Sequence, residues 1–169
     1  MALNATLGDV SQNSYVTVVE ADAYFADRAF ASSWASFEDQ ESLLILCSRM
    51  LDWYISWKGF KKSVLQPMEW PRTDVIVKDG TELADDALPD AVKIAVFELA
   101  ISSLTEDRTG DDPLLGLEQL RVSTLMLKAK PDKSGDATLS KEAIPTKVYK
   151  ILKDLRSQSS FGVVRLMRG

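Results

Sequence analysis

Apolar positions recur at helical spacing in four stretches of the chain, and two of these stretches are apolar on nearly every face. The first opens at Thr17, which forms a capping box with Glu20 three residues on. Val18, Ala21, Phe25 and Ala29 then share one face, while Glu20, Asp27 and Arg28 fall largely off it. Residues 32–36 interrupt this pattern. Ser36 reads as the cap of a second helix over residues 37–57, with Glu38, Asp39 and Glu41 in its first turn, where the helix dipole favours negative charge. Leu43, Leu46, Cys47, Met50, Tyr54 and Trp57 repeat at three and four along it, Leu44, Leu51 and Ile55 widen the stripe, and Gly59 marks a stop. A third helix opens at Leu88-Pro89-Asp90 and runs to residue 106 through Val92, Ala95, Val96, Leu99 and Ala100. Helices this apolar cannot lie on a surface, so the second and third are expected to pack on each other. The fourth begins near Ile144 with Pro145 in its first turn; Val148, Ile151, Leu152 and Leu155 form its apolar face, and Lys147, Lys150, Lys153 and Arg156 its basic one.

The segments between the helices carry other signals. Gln66-Pro67-Met68-Glu69-Trp70-Pro71-Arg72 holds two prolines that fix their own φ angles, so this turn is expected to be stiff. Val75-Ile76-Val77 and Thr81-Glu82-Leu83 flank Lys78-Asp79-Gly80, a hairpin signature. Residues 120–128 are rich in Val, Thr and Leu and suit a strand; residues 109–116 and 131–140 read as loop and linker. The expected fold is mainly α: a small helical bundle of about four helices with a minor β-hairpin and an extended C-terminal tail. Residues 1–13 form a loose arm in this reading, 14–156 the helical domain with a β-rich insertion, and 157–169 the tail.

Composition narrows the chemistry. The chain has no histidine, the commonest general base and transition-metal ligand, and no phosphate-cradling glycine loop. The carboxylate pairs Asp85-Asp86 and Asp111-Asp112 lack the alternating spacing of a calcium loop. No catalytic, cofactor or metal residue is expected, and the chain reads as a non-enzyme. The single cysteine, Cys47, lies in the apolar helix and reads as core. No run is long enough to span a membrane and no secretory signal opens the chain, so it is expected to be soluble and intracellular when made. Residues 1–120 hold 9 basic and 21 acidic residues, a net −12, whereas residues 121–169 hold 11 and 4, a net +7. An acidic body thus carries a basic end.

Two features survive as candidate interaction surfaces. Trp53, Tyr54, Trp57 and Trp70 interleave with Lys58, Lys61 and Lys62, a pattern suited to stacking single-stranded bases, each worth about 1–3 kcal/mol. The acidic body opposes phosphate binding, and aromatics beside an apolar helical stripe usually form core, so packing is the favoured reading. The second feature is the end of the chain. Phe161, Val163, Val164, Arg165, Leu166, Met167 and Arg168 place apolar and basic residues where disorder is the rule, and a tail that docks onto another protein, by adding a strand to a sheet edge, accounts for them.

Ser14-Tyr15-Val16-Thr17 with Glu20-Ala21-Asp22-Ala23-Tyr24-Phe25, the Leu51-Asp52 to Trp57-Lys58-Gly59 helix end, the Gln66 to Arg72 turn, Leu88-Pro89 with Val92-Lys93-Ala95, and Arg165-Leu166-Met167-Arg168-Gly169 together resemble a family of tailed-bacteriophage head–tail connector adaptors. Its members often carry a DnaT-like single-stranded-DNA-binding label. The resemblance covers nearly the whole chain and is weakest over residues 120–140. It implies a homo-oligomeric ring, usually a dodecamer, in the phage neck, assembled after synthesis in the host cytoplasm. Such a ring sits between the portal protein and a downstream neck, stopper or tail protein, lines the channel for passing DNA without reading its sequence, and needs no membrane. The tail would then dock on the portal, and Trp70 and Arg72 on the stiff turn become candidates for the subunit interface. The alternative is a DnaT-like single-stranded-DNA-binding protein, for which Trp57, Trp70 and Lys61 are the residues to change.

Overall fold

A computed structural model describes residues 2–104, 108, 120–122, 125–127 and 143–157. Helix α1, Val18–Ala26, starts where expected: the Thr17 hydroxyl accepts from the Glu20 amide and the Glu20 carboxylate accepts from the Thr17 amide, closing the capping box. It ends short of Ala29, because the chain turns through Phe30 at φ 61°. One further helical turn follows, α2, Ser32–Ala35. Ser36 closes this turn instead of opening the next helix, so the long central helix α3 spans Gln40–Tyr54 and not residues 37–57. Its far end is earlier too. Ile55 is extended, and Trp57, counted as helical from its spacing, lies beyond the helix in a bridge to Arg156.

Helix α4, Asp90–Ser103, packs against α3, as the breadth of both apolar stripes demands. Leu44, Cys47, Met50 and Leu51 from α3 and Val92, Ala95, Val96, Leu99 and Ala100 from α4 are fully buried. Each large aliphatic side chain so placed contributes about 1.5–3 kcal/mol of transfer free energy. Helix α5, Thr146–Ile151, also packs on α4, with Pro145 at its N-cap, and a turn then carries the chain to Leu155. The fold is mainly helical, five helices among the described residues, with small antiparallel pairs of strands.

The strands are not all where the sequence placed them. A two-stranded sheet joins β1, Phe60–Lys61, to β2, Arg72–Thr73, pairing Phe60 with Thr73 and Lys61 with Arg72 across the proline turn. The expected hairpin at residues 75–83 is present as a single bridge, Ile76 to Glu82, with backbone bonds from Val77 to Thr81 and from Leu83 to Val75, both 2.9 Å. Where one strand was expected over residues 120–128, the described residues form two short ones, β3, Leu120–Val122, and β4, Leu125–Leu127.

Nor is the N-terminus a free arm. Asn4 and Asn13 exchange backbone and side-chain bonds of 2.8–3.0 Å, and Gln12 and Asn13 are buried. Asn, Asp and Ser side chains bond local backbone readily, which folds this polar stretch back on itself. The tail residues Phe161, Val163, Val164, Arg165, Leu166, Met167 and Arg168 lie outside the described residues, as do the loop at 109–116, the linker at 131–140 and the proposed end of the third helix at 105–106. The last described residue, Ser157, donates its amide to Ser56 at 2.8 Å.

Candidate functional site

The chain around the end of α3 gathers most of the residues singled out by sequence. Asp52 accepts the Tyr15 hydroxyl hydrogen and, at 3.1 Å, the amide of Glu69; the same hydroxyl oxygen accepts the amide of Trp70 at 3.2 Å. One phenol therefore ties the N-terminal segment, α3 and the proline turn together. Burial pushes the Asp52 carboxyl up to about 6 against the lowering effect of its two donors, and the Tyr15 phenol is raised well above its ordinary value by burial and by that neighbouring carboxylate.

Trp70 is fully buried and stands edge-on to Trp57, ring centroids 5.7 Å apart at 84°. Arg72 is buried as well. Its guanidinium donates to the carbonyls of Lys58 and Gly59, each at 2.7 Å, and to the Glu69 carboxylate at 2.6 Å. Gln66 closes the turn by donating to the Met68 and Pro71 carbonyls at 3.0 Å. Gly59 holds φ 67° with the Thr73 carbonyl oxygen 2.1 Å from where a Cβ would lie, so no side chain fits there. The turn is thus the stiff corner expected, but Trp70 and Arg72 are its interior. Within the single chain both side chains are buried, Arg72 on the corner's own carbonyls and Glu69 and Trp70 against Trp57, with the Trp70 indole N–H left without a hydrogen-bond partner.

What the corner exposes is different. Trp53 is 62% exposed and Tyr54 46%, so of the aromatics at the end of α3 only Trp57 joins the core. Beside Trp53 lies a groove of about 420 Å³ walled by Arg49, Asp52, Met68 and Glu69. Lys61 pairs with Glu69 at 3.2 Å, and Lys58 donates to the Ile76 carbonyl at 3.1 Å. Phe60 on β1 and Val64 and Leu65 on the connection after it are 70, 97 and 75% exposed. The sequence reading passed over these three, because one aromatic and two aliphatics without periodicity give no helical or strand pattern.

A second polar centre sits on α4. Glu98, nearly enclosed, takes Arg28 through its Nε and Nη2 at 2.8 and 2.9 Å, the Tyr24 hydroxyl at 2.8 Å and Lys147 at 2.6 Å, tying the region of α1 to α4 and α5. Burial opposes its charge, but the hydrogen bonds from Arg28, Lys147 and Tyr24 outweigh that and hold the carboxyl at about 2. A lone carboxylate within an apolar helix was the available signal for it. Among the described residues no cluster of His, Cys, Asp or Glu could hold a metal ion, and no helix is long and apolar enough to cross a membrane.

Fold and surface together define a small, mainly helical protein in which Glu98 and Arg72 are buried in ion-paired ties and the exposed aromatics Trp53, Tyr54 and Phe60 lie with Lys58, Lys61 and Lys62 at and beyond the end of α3. The whole chain, residues 1–169, matches the family described as "Putative DnaT-like ssDNA binding protein", and the chain belongs to that family. No curated protein and no solved structure matches it.

Proposed function

We propose that the protein is a structural adaptor that works by binding other proteins, as the head–tail connector resemblance implies: copies of the chain join into a ring between the portal and the next neck or tail protein. The observation that carries this reading is the distribution of apolar surface. The tryptophans best placed by sequence to stack bases, Trp57 and Trp70, are inside, while Phe60 on β1 and Val64 and Leu65 just after it stand in solvent, where they suit contact with protein. The net −12 of residues 1–120 supports it, since affinity for nucleic acid rests mostly on cationic contacts with phosphate. The C-terminal residues 161–169 supply the portal contact in this reading. Deleting them is expected to leave a folded protein that no longer joins portal rings, measured by co-sedimentation; normal joining by the truncated chain would sink the proposal.

Single-stranded-DNA binding is the second reading. The family's own description supports it more directly than it supports the adaptor, and Arg49, Trp53 and Tyr54, all exposed on α3, are the residues that would carry it. An oligonucleotide titration followed by tryptophan fluorescence at moderate salt separates the two. Tight quenching that is lost on Trp53→Ala and weakens steeply with salt establishes DNA binding. No quenching leaves the adaptor.

A further inference from the structure

Two apolar surface patches on this molecule differ in the charge of the residues around them, and they lie at opposite ends of α3. The first is the loop already described, with Phe60, Val64 and Leu65 in solvent. From Trp53 to Met68 the chain carries three lysines and no acidic residue; Lys61 is paired with Glu69 just beyond and Lys58 with the Ile76 carbonyl, while Lys62 is exposed. The second is a pocket of about 500 Å³ between α1 and α2, floored by the rings of Phe25 and Trp34, 4.7 Å apart, and edged by Asp22 and Gln40. Around it, from Asp22 to Glu41, the chain carries five acidic residues, Asp22, Asp27, Glu38, Asp39 and Glu41, all exposed. The single basic residue in that stretch, Arg28, is engaged by Glu98.

The turn between α1 and α2 carries an independent mark. Phe30 is 97% exposed and sits at φ 61°, the left-handed region that a bulky side chain rarely adopts. Backbone strain combined with a bare aromatic ring is uncommon away from functional surfaces. The pocket and Phe30 together present an apolar, acidic face with no covering element among the described residues.

These two patches cannot meet within one chain. Gln40, at the pocket, opens α3, and its side chain donates to the Trp34 carbonyl at 3.0 Å; the lysine-bearing loop follows the other end of the helix. Fifteen residues at about 1.5 Å each separate them by roughly 22 Å. We infer that the pocket between α1 and α2 receives the Phe60–Leu65 loop of a second copy of this chain, with Lys61 and Lys62 set against the acidic residues that surround it. Because the two surfaces differ, each copy offers one and accepts with the other. In this arrangement the contact is heterologous and propagates head to tail into a closed ring or an open filament; a reciprocal exchange, in which each loop fills the other copy's pocket about a two-fold axis, would stop at a dimer and overturn the inference. One such contact alone is small, and its strength in an assembly comes from closure of the ring.

The inference rests on the adaptor reading's premise that copies of the chain associate, and it adds which surfaces do so. The test uses the full-length protein with Val64→Cys and Phe30→Cys combined, both positions in open solvent; the native Cys47, fully buried, stays out of the reaction. Mild oxidation at high protein concentration is expected to give a disulfide-linked ladder of dimers, trimers and larger species, collapsed to monomer by reductant, with little product from either single variant. A matching charge test reads self-association by sedimentation. Lys61→Glu with Lys62→Glu is expected to weaken it at least ~10-fold, Glu38→Lys with Asp39→Lys likewise, and the four changes together to restore it. Dimers from V64C alone, as abundant as in the double variant, would mean a two-fold contact and overturn the inference. So would an absent ladder, or a four-fold variant no better than its halves. If the wild-type protein forms rings but the ladder fails, the surfaces are wrong and the adaptor reading stands. If the ladder forms but portal rings are not bound, the adaptor reading fails and the head-to-tail contact stands.

Discussion

Replacing Tyr15 by Phe removes one oxygen atom and leaves the ring packing in place, so its effect isolates the polar tie between the N-terminal segment, α3 and the proline turn. Two bonds disappear. The Trp70 amide, on a residue with no solvent exposure, loses its acceptor, which costs about 1–3 kcal/mol for an unpaired buried donor. Asp52 loses a donor to its carboxylate, worth about 1.5–3 kcal/mol when the group is charged. Water reaches Asp52 in part, since it lines the groove beside Trp53, so the second loss is partly recovered and the expected total is about 3 kcal/mol near neutral pH. Urea unfolding followed by far-UV circular dichroism measures it. The donor that restrains the Asp52 carboxyl is also gone, so its pKa rises further above about 6. A double-mutant cycle with Asp52→Asn completes the test: on the asparagine background Tyr15→Phe is expected to cost at least ~1 kcal/mol less than on the wild type. A loss below about 1 kcal/mol, or equal costs on both backgrounds, would refute the role given to the phenol.

Asp52 itself predicts a pH dependence of unusual sign. Its carboxyl titrates at about 6 in the fold and near its ordinary value of about 3.9 unfolded, so between those values the folded state binds the extra proton and stability falls as pH rises, by up to about 3 kcal/mol. Asp52→Asn is expected to flatten that slope in urea melts taken from pH 4 to 7. Glu98 has the opposite sign: held at about 2, it contributes stability that is fully present above about pH 4.5 and lost as pH falls toward 2. Glu98→Gln is expected to lower stability by about 2–3 kcal/mol at pH 7 and to remove that acid-side slope; a variant with an unchanged acid midpoint would contradict it. Gly59→Ala brings a Cβ against the Thr73 carbonyl at a φ that alanine disfavours, and a loss of more than ~2 kcal/mol on thermal or urea unfolding is expected.

The helices were legible because burial imposes a period on them. Thr17 and Glu20 announced the start of α1 by local hydrogen bonding alone, and the all-round apolarity of residues 43–51 and 92–100 required that α3 and α4 meet. The helix ends were less legible. Ser36 suits either a start or a stop and proves to be the C-cap of a separate turn, bonded back to Ser33 and Trp34, while Trp57 is drawn out of the helix to pack on Trp70, a partner distant in sequence. The short sheet between Phe60 and Thr73 was invisible for the same reason, since two residues carry no periodicity and the pairing depends on the corner that brings them together.

Sequence alone determined the class of fold, the sign of charge along the chain and the stiffness of the turn at Gln66 to Arg72, because each follows from local geometry or from counting. Only the tertiary structure decided which aromatics are surface and which are core. Trp53 and Trp57 are four residues apart on what reads as one helical face, yet one is exposed and the other buried, because α3 stops between them. Likewise Glu98 and Asp52 are ordinary carboxylates in the sequence. What separates the one held at about 2 from the one raised to about 6 is the set of cations and donors that the fold delivers from distant residues: Arg28 and Lys147 to the first, and only a phenol and an amide to the second.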